Sequence, residues 1–156
     1  MDYLCSMVKP YDDTYFMQQA LNEAKLAFAK NEIPVGAIIV CQNKIIARGH
    51  NLTETLTDVT AHAEMQVFTA ASNYLGSKYL NKCTLYVTLE PCCMCAGAAY
   101  WTQIGKIVYG ASDENRGFIK PQLPLHPKTK VVSGILKKEC SALLMTFFKN
   151  QRKLKS

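Results

Sequence analysis

The sequence predicts an α/β fold, with one sheet covered by helices on both faces. Segments of helical apolar spacing alternate with short β-branched runs in the order α-β-β-α-β-α-β-β-α, and that interleaving calls for helices on both sides of a sheet. At 156 residues the chain suits one domain with a substantial core. Its apolar share of 49% and charged share of 19% are ordinary for a globular protein.

Each element has its own signal. Over residues 12–30, Phe16, Ala20, Ala24 and Ala27 recur at helical spacing, with Met17, Leu21 and Phe28 beside them. Asn31-Glu32-Ile33-Pro34 ends this helix, because Pro34 pushes Ile33 out of the helical region. Val35 to Cys41 and Lys44 to Arg48 are two strands, joined at Gln42-Asn43 by a hairpin turn without the usual glycine. Residues 61–75 form a helix starting near His62, with Met65, Phe68, Ser72 and Leu75 on one stripe. Thr84 to Leu89 has high β propensity. Pro91 opens a third helix, at a first position that tolerates proline, and the helix runs to about Gln103. Lys106 to Tyr109 is the fourth strand and Lys130 to Ser133 the fifth. Between them, residues 111–129 hold Gly117, Pro121, Pro124 and Pro127 and read as an irregular loop. Leu136, Cys140, Leu143, Leu144, Phe147 and Phe148 give the last helix its apolar face. With no repeat, low-complexity tract or linker, residues 1–156 are expected to be a single domain with its core at about 12–152.

Composition narrows the class. No apolar run approaches the ~20 residues that span a bilayer. Met1-Asp2-Tyr3-Leu4-Cys5 lacks the basic start and apolar core of a signal peptide. The cysteines are Cys5, Cys41, Cys83, Cys92, Cys93, Cys95 and Cys140. An odd count with a C-x-x-C pair points to metal binding in a reducing, cytoplasmic compartment. Net charge is +6, which is compatible with a polyanionic partner. The late basic residues, Lys137, Lys138, Lys149, Arg152, Lys153 and Lys155, read on charge alone as a solvated helix face.

The chemistry lies in Thr60-Ala61-His62-Ala63-Glu64 and Pro91-Cys92-Cys93-Met94-Cys95. His62, Cys92 and Cys95 are expected to hold zinc. Three ligands leave one position open, which marks a catalytic more often than a structural site. Cys92 and Cys95, three apart at a helix start, share a face and aim past the helix end. Two residues apart, His62 and Glu64 reach one point only near a helix end, so the site is expected where two helices begin. Two thiolates and a neutral imidazole leave the zinc site formally neutral, and water bound there has a pKa drawn toward ~7. Glu64 is the acidic residue placed to take its proton. A structural zinc would need a fourth ligand, and Cys93 and His50 are the ones to weigh. Cys93 should point elsewhere on the helix, and His50 has no supporting spacing. His126 is expected at the surface, and Cys5, Cys41, Cys83 and Cys140 in or near the core.

These motifs resemble the cytidine deaminase-like superfamily, and within it the bacterial tRNA-specific adenosine deaminases. The H-x-E…P-C-x-x-C pattern is a signature of zinc deaminases. Glu32-Ile33-Pro34-Val35-Gly36-Ala37, Tyr86-Val87-Thr88, Gly105-Lys106-Ile107-Val108-Tyr109-Gly110, Gly134-Ile135-Leu136, Glu139-Cys140 and Phe147-Phe148 extend the resemblance over about residues 12–152. It implies a three-layer α/β/α sandwich with a five-stranded mixed sheet, acting as a homodimer. It implies one zinc per subunit and conversion of adenosine to inosine at the wobble position of a tRNA anticodon arm. Carried over by position, Glu64 shuttles protons, Asn51 hydrogen-bonds the flipped base, and Ala63 is on the substrate side. Departures from the family pattern are Val59, where proline is frequent, a 52–58 segment without a basic residue, and Tyr100-Trp101. Two other functions remain open on sequence: deamination of a free base or nucleotide such as guanine or cytosine, and a nucleic-acid-binding protein whose zinc only supports folding.

Overall fold

The computed structural model describes residues 11–156. Cys5 and the rest of the start lie outside the described residues. The elements are α1 (Asp13–Ala29), β1 (Gly36–Cys41), β2 (Lys44–His50), α2 (Ala63–Leu75), β3 (Cys83–Leu89), α3 (Cys93–Thr102), β4 (Lys106–Ala111), β5 (Lys130–Val132) and α4 (Lys137–Leu154). Their order is the expected one.

The five strands stand in the order β2-β1-β3-β4-β5. β1 runs antiparallel to β2 and β3, whereas β3, β4 and β5 are parallel. Side chains alternate across this mixed sheet with a period of two. Ile39, Leu85, Val87 and Ile107 pack with Val67 and Phe68 of α2 and Ala96 and Ala99 of α3. Ile38, Val40, Tyr86 and Val108 pack with Phe16, Met17 and Ala20 of α1 and Cys140 of α4. The three layers expected from the resemblance are therefore present.

Local chemistry sets the element ends. The Asp12 carboxylate accepts the Tyr15 N–H at 2.8 Å and caps α1. The helix stops at Ala29, ahead of Pro34. Asn31 is left-handed (φ 59°), and the Glu32 N–H returns to the Ala27 carbonyl at 2.9 Å. The stop is thus an asparagine turn, and Pro34 comes too late to cause it. Gln42 (φ 51°) and Asn43 (φ 60°) make the two-residue hairpin turn despite the missing glycine. Gly36 permits a close approach instead: a Cβ there would collide with the backbone of Ala20 and Ala24 in α1.

Two expectations need correction. The inner face of α2 is Ala63, Glu64, Val67, Phe68 and Ala71, whereas Leu75 is exposed and Met65 and Ser72 are half-buried. Small residues let α2 lie close to β2 at Gly49, and that rotation carries Glu64 inward. Counting large apolar residues hid it. α3 starts two residues later than expected, with Cys92 as its extended N-cap (ψ 177°), so Pro91 precedes the cap. Cys83 and Cys140 are buried and Cys41 is half-buried, close to expectation.

Candidate catalytic metal site

The ends of β2 and β3 and the entry to β1 meet at one edge of the sheet, where Gly36 pairs with His50 and Ala37 with Val87. Two helices begin beside that edge. His62 is the N-cap of α2 and Cys92 the N-cap of α3, both in extended backbone. Cys95 is one turn into α3 and has no exposed surface.

The Sγ atoms of Cys92 and Cys95 lie 3.6 and 3.5 Å from Nδ1 of His62. Tetrahedral zinc with bonds of ~2.0–2.1 Å to nitrogen and ~2.3 Å to sulfur would hold N and S about 3.6 Å apart. The donor set therefore fits zinc without rearrangement, with Nδ1 as the histidine donor. Among the described residues this is the one cluster of three or more His, Cys, Asp or Glu donors within 4.8 Å of one another.

The proton balance agrees with metal binding. The thiol of Cys95 and the ring of His62 both hydrogen-bond Cys92, and its pKa falls to about 3. That bond from Cys95, together with burial and nearby Glu64, pushes the Cys95 thiol far up. Metal binding requires both thiols as thiolates, so it is accompanied by proton release. His62 is raised mainly by its bond to Cys92. Glu64 is only 4% exposed, and burial raises its carboxyl above the usual carboxylate range. A carboxyl raised in this way is a better proton acceptor than an exposed one.

A cavity of about 720 Å³ opens onto these groups, within the ~300–1,000 Å³ common for small-molecule sites. His62, Glu64, Cys92 and Asn51 line it, with Ile33, Val35 and Leu89 as apolar wall. Asn51 is 6% exposed, and its N–H is held by the Val35 carbonyl at 3.1 Å. Ala63 differs from expectation in what it offers: its side chain is in the core under α2. Its backbone N–H belongs to the first turn, where helix N–H groups point out of the end.

The weighed fourth ligands are elsewhere. Cys93 is exposed. His50 lies between the Glu23 carboxylate at 3.1 Å and the Lys30 ammonium at 3.0 Å. His126 is half-buried near the Tyr100 ring, not fully at the surface. Sequence reasoning missed the loop after β4: Ser112, Asp113, Asn115 and Arg116 line the cavity, drawn in by a bridge between Cys92 and Gly117. The usable signal was a polar run directly after a parallel strand, where ligand sites in open sheets occur. It also missed Glu32 and Glu90, whose carboxylates are buried.

The chain is similar to known proteins. Residues 10–111 match the family described as cytidine and deoxycytidylate deaminase zinc-binding region. The chain is 44% identical over 149 residues to the tRNA-specific adenosine deaminase of Bacillus subtilis (strain 168), covering 92% of each chain. A solved structure from studies of A-to-I editing by tRNA:A34 deaminases at the wobble position of transfer RNA is 41% identical, with a TM-score of 0.79. The match covers 84% of this chain and 99% of that one. Guanine deaminase from Bacillus subtilis is 38% identical with a TM-score of 0.63, but over only 65% of this chain and 66% of its own. The chain belongs to the zinc-binding cytidine and deoxycytidylate deaminase family and, within it, to the tRNA-specific adenosine deaminases.

Proposed function

We infer that this chain is a zinc-dependent aminohydrolase that converts adenosine to inosine at the wobble position of tRNA. The observation that carries the chemistry is a three-donor cluster at zinc-binding separations, with buried Glu64 beside it and outside the donor set. His62, Cys92 and Cys95 hold the metal, one ion per subunit. When bound, zinc supplies Lewis acidity that brings the pKa of water toward ~7.

The chain's own groups do the rest. The wobble base leaves its loop stack, at low cost in a single strand, and enters the cavity. Asn51 hydrogen-bonds the base edge, and the Ala63 N–H faces it from the start of α2. Glu64 takes a proton from the attacking water and delivers it to ring N1 as the C6–oxygen bond forms. The remaining hydroxyl proton then passes through Glu64 to the amine. The C6–nitrogen bond breaks and ammonia leaves. Apolar Ile33, Val35 and Leu89 flank the ring and limit water.

The partner in this reading is a tRNA anticodon arm, and Lys149, Arg152, Lys153 and Lys155 at the end of α4 would meet its phosphates. The chain acts as a homodimer in the cytoplasm. Among the described residues no helix is long and apolar enough to cross a membrane. The test is ammonia release from an anticodon stem-loop compared with free adenine, guanine and cytosine. Turnover on the stem-loop supports the reading, and turnover on a free base alone replaces it.

A further inference from the structure

Two carboxylates near the site take no part in that chemistry. Glu32 has no exposed surface and Glu90 has 5%. A buried charge is costly unless donors surround it. Glu32 accepts the Glu54 N–H at 3.0 Å, the Thr55 N–H at 2.7 Å and the Thr55 hydroxyl at 2.6 Å. Glu90 accepts the Asp113 N–H at 3.1 Å and the Ile119 N–H at 3.0 Å. Gly117 packs so closely on the Glu90 carboxylate that a Cβ there would collide with it.

These donors come from two irregular segments, not from the sheet. Residues 52–61 connect Asn51 directly to His62, and the Leu52 N–H to Ala61 carbonyl bond at 2.9 Å closes the base of that segment. Residues 112–116 form cavity wall. Residues 54–59 and 114–116 are exposed, so little apolar burial holds either segment. Besides backbone contacts such as the Leu52–Ala61 bond and the Cys92–Gly117 bridge, each segment is held by one buried carboxylate rooted beside the sheet.

We propose that Glu32 and Glu90 are positioning residues for the substrate. They fix the segment that spaces Asn51 from His62 and the segment that walls the cavity. Their effect falls on capture of the base and not on proton transfer, so it appears in KM and leaves kcat in place. The kinetic part rests on the proposed deaminase reading.

The test uses four variants of the zinc-loaded protein: Glu32→Gln, Thr55→Val, Glu90→Gln and Gly117→Ala. Thr55→Val keeps the fold safe, because it removes a single hydroxyl from an exposed position. KM for the anticodon stem-loop should rise about tenfold in the glutamine variants, the usual worth of a hydrogen bond to a charged acceptor. Thr55→Val should give a smaller rise. kcat and zinc content should match the wild type. Amide hydrogen exchange should quicken at residues 54 and 55 in the first pair and at 113 and 119 in the second. A fall in kcat at constant KM would overturn the proposal, as would unchanged KM despite faster exchange, or unchanged exchange. If the wild type turns over a free base and ignores the stem-loop, the proposed function fails while the clamps are still judged, by exchange and by KM for that base.

Discussion

The metal end of the cavity and its α4 rim are built in different ways. At the metal end, Cys95 has no exposed surface and Glu64 is nearly buried, both anchored in the first turns of helices. At the rim, Met145 is 70% exposed and Phe148 42%, followed by Lys149 and Arg152 on an open face. The first region can hold a reaction geometry to a fraction of an ångström. The second can adapt to a large, charged partner. On the proposed reading the metal end carries the chemistry and the α4 rim meets the RNA, so substitutions should separate the two effects.

The largest effect is expected at Glu64. Glu64→Gln should lower kcat by roughly 10²–10⁴ or more, with zinc content and RNA affinity unchanged, as read by steady-state kinetics and metal analysis. Loss of zinc in that variant would place Glu64 among the ligands and blur the contrast. Next comes the metal. Dialysis against a chelator should abolish turnover and lower the melting temperature, and added zinc should restore both. Activity that survives complete zinc removal would break the assignment of His62, Cys92 and Cys95.

The rim should behave in the opposite way. Removing residues 149–156 should weaken RNA binding without touching single-turnover kcat. It should also flatten the salt dependence of log K by about 0.7 per lost phosphate contact. Unchanged affinity and slope would take the α4 end out of recognition. The smallest effect concerns pH. Burial opposes the charge on Glu32, but the Thr55 hydroxyl and the Glu54 and Thr55 N–H groups outweigh it, so its carboxyl lies below the ordinary value of 4.5. A carboxyl lowered on folding contributes stability above its unfolded value and loses it as pH falls through the folded value. Glu32→Gln should therefore melt a few degrees below wild type at pH 7, and the gap should narrow below pH 4.5.

The same division decided what could be read from sequence. The convergence of His62, Cys92 and Cys95 on one point was legible because metal ligation demands fixed residue types at fixed spacing, and Glu64 was legible from its place two residues after His62. The H-x-E interval even required a helix end, which is where His62 stands. Among the described residues all nine elements were legible because their signals, apolar periods and turn or cap residues, are local. The rotation of α2 was not, since close packing at Gly49 depends on a strand distant in sequence. The Asn31 turn was masked by Pro34, a stronger formal signal three residues later. Ser112 to Arg116 looked like loop filler until the Cys92–Gly117 bridge folded it over the cavity. Glu32 and Glu90 carry no motif of their own, and only their burial and partners distinguish them from surface glutamates.

Hydrolytic deamination at the wobble base is tested most directly by one reaction. Zinc-loaded protein is incubated with tRNA in heavy-oxygen water, and the wobble nucleotide and released ammonia are measured together. The expected result is inosine at that position, carrying the heavy oxygen on C6, with one ammonia for each inosine. Wobble adenosine that stays intact at full zinc occupancy would contradict it.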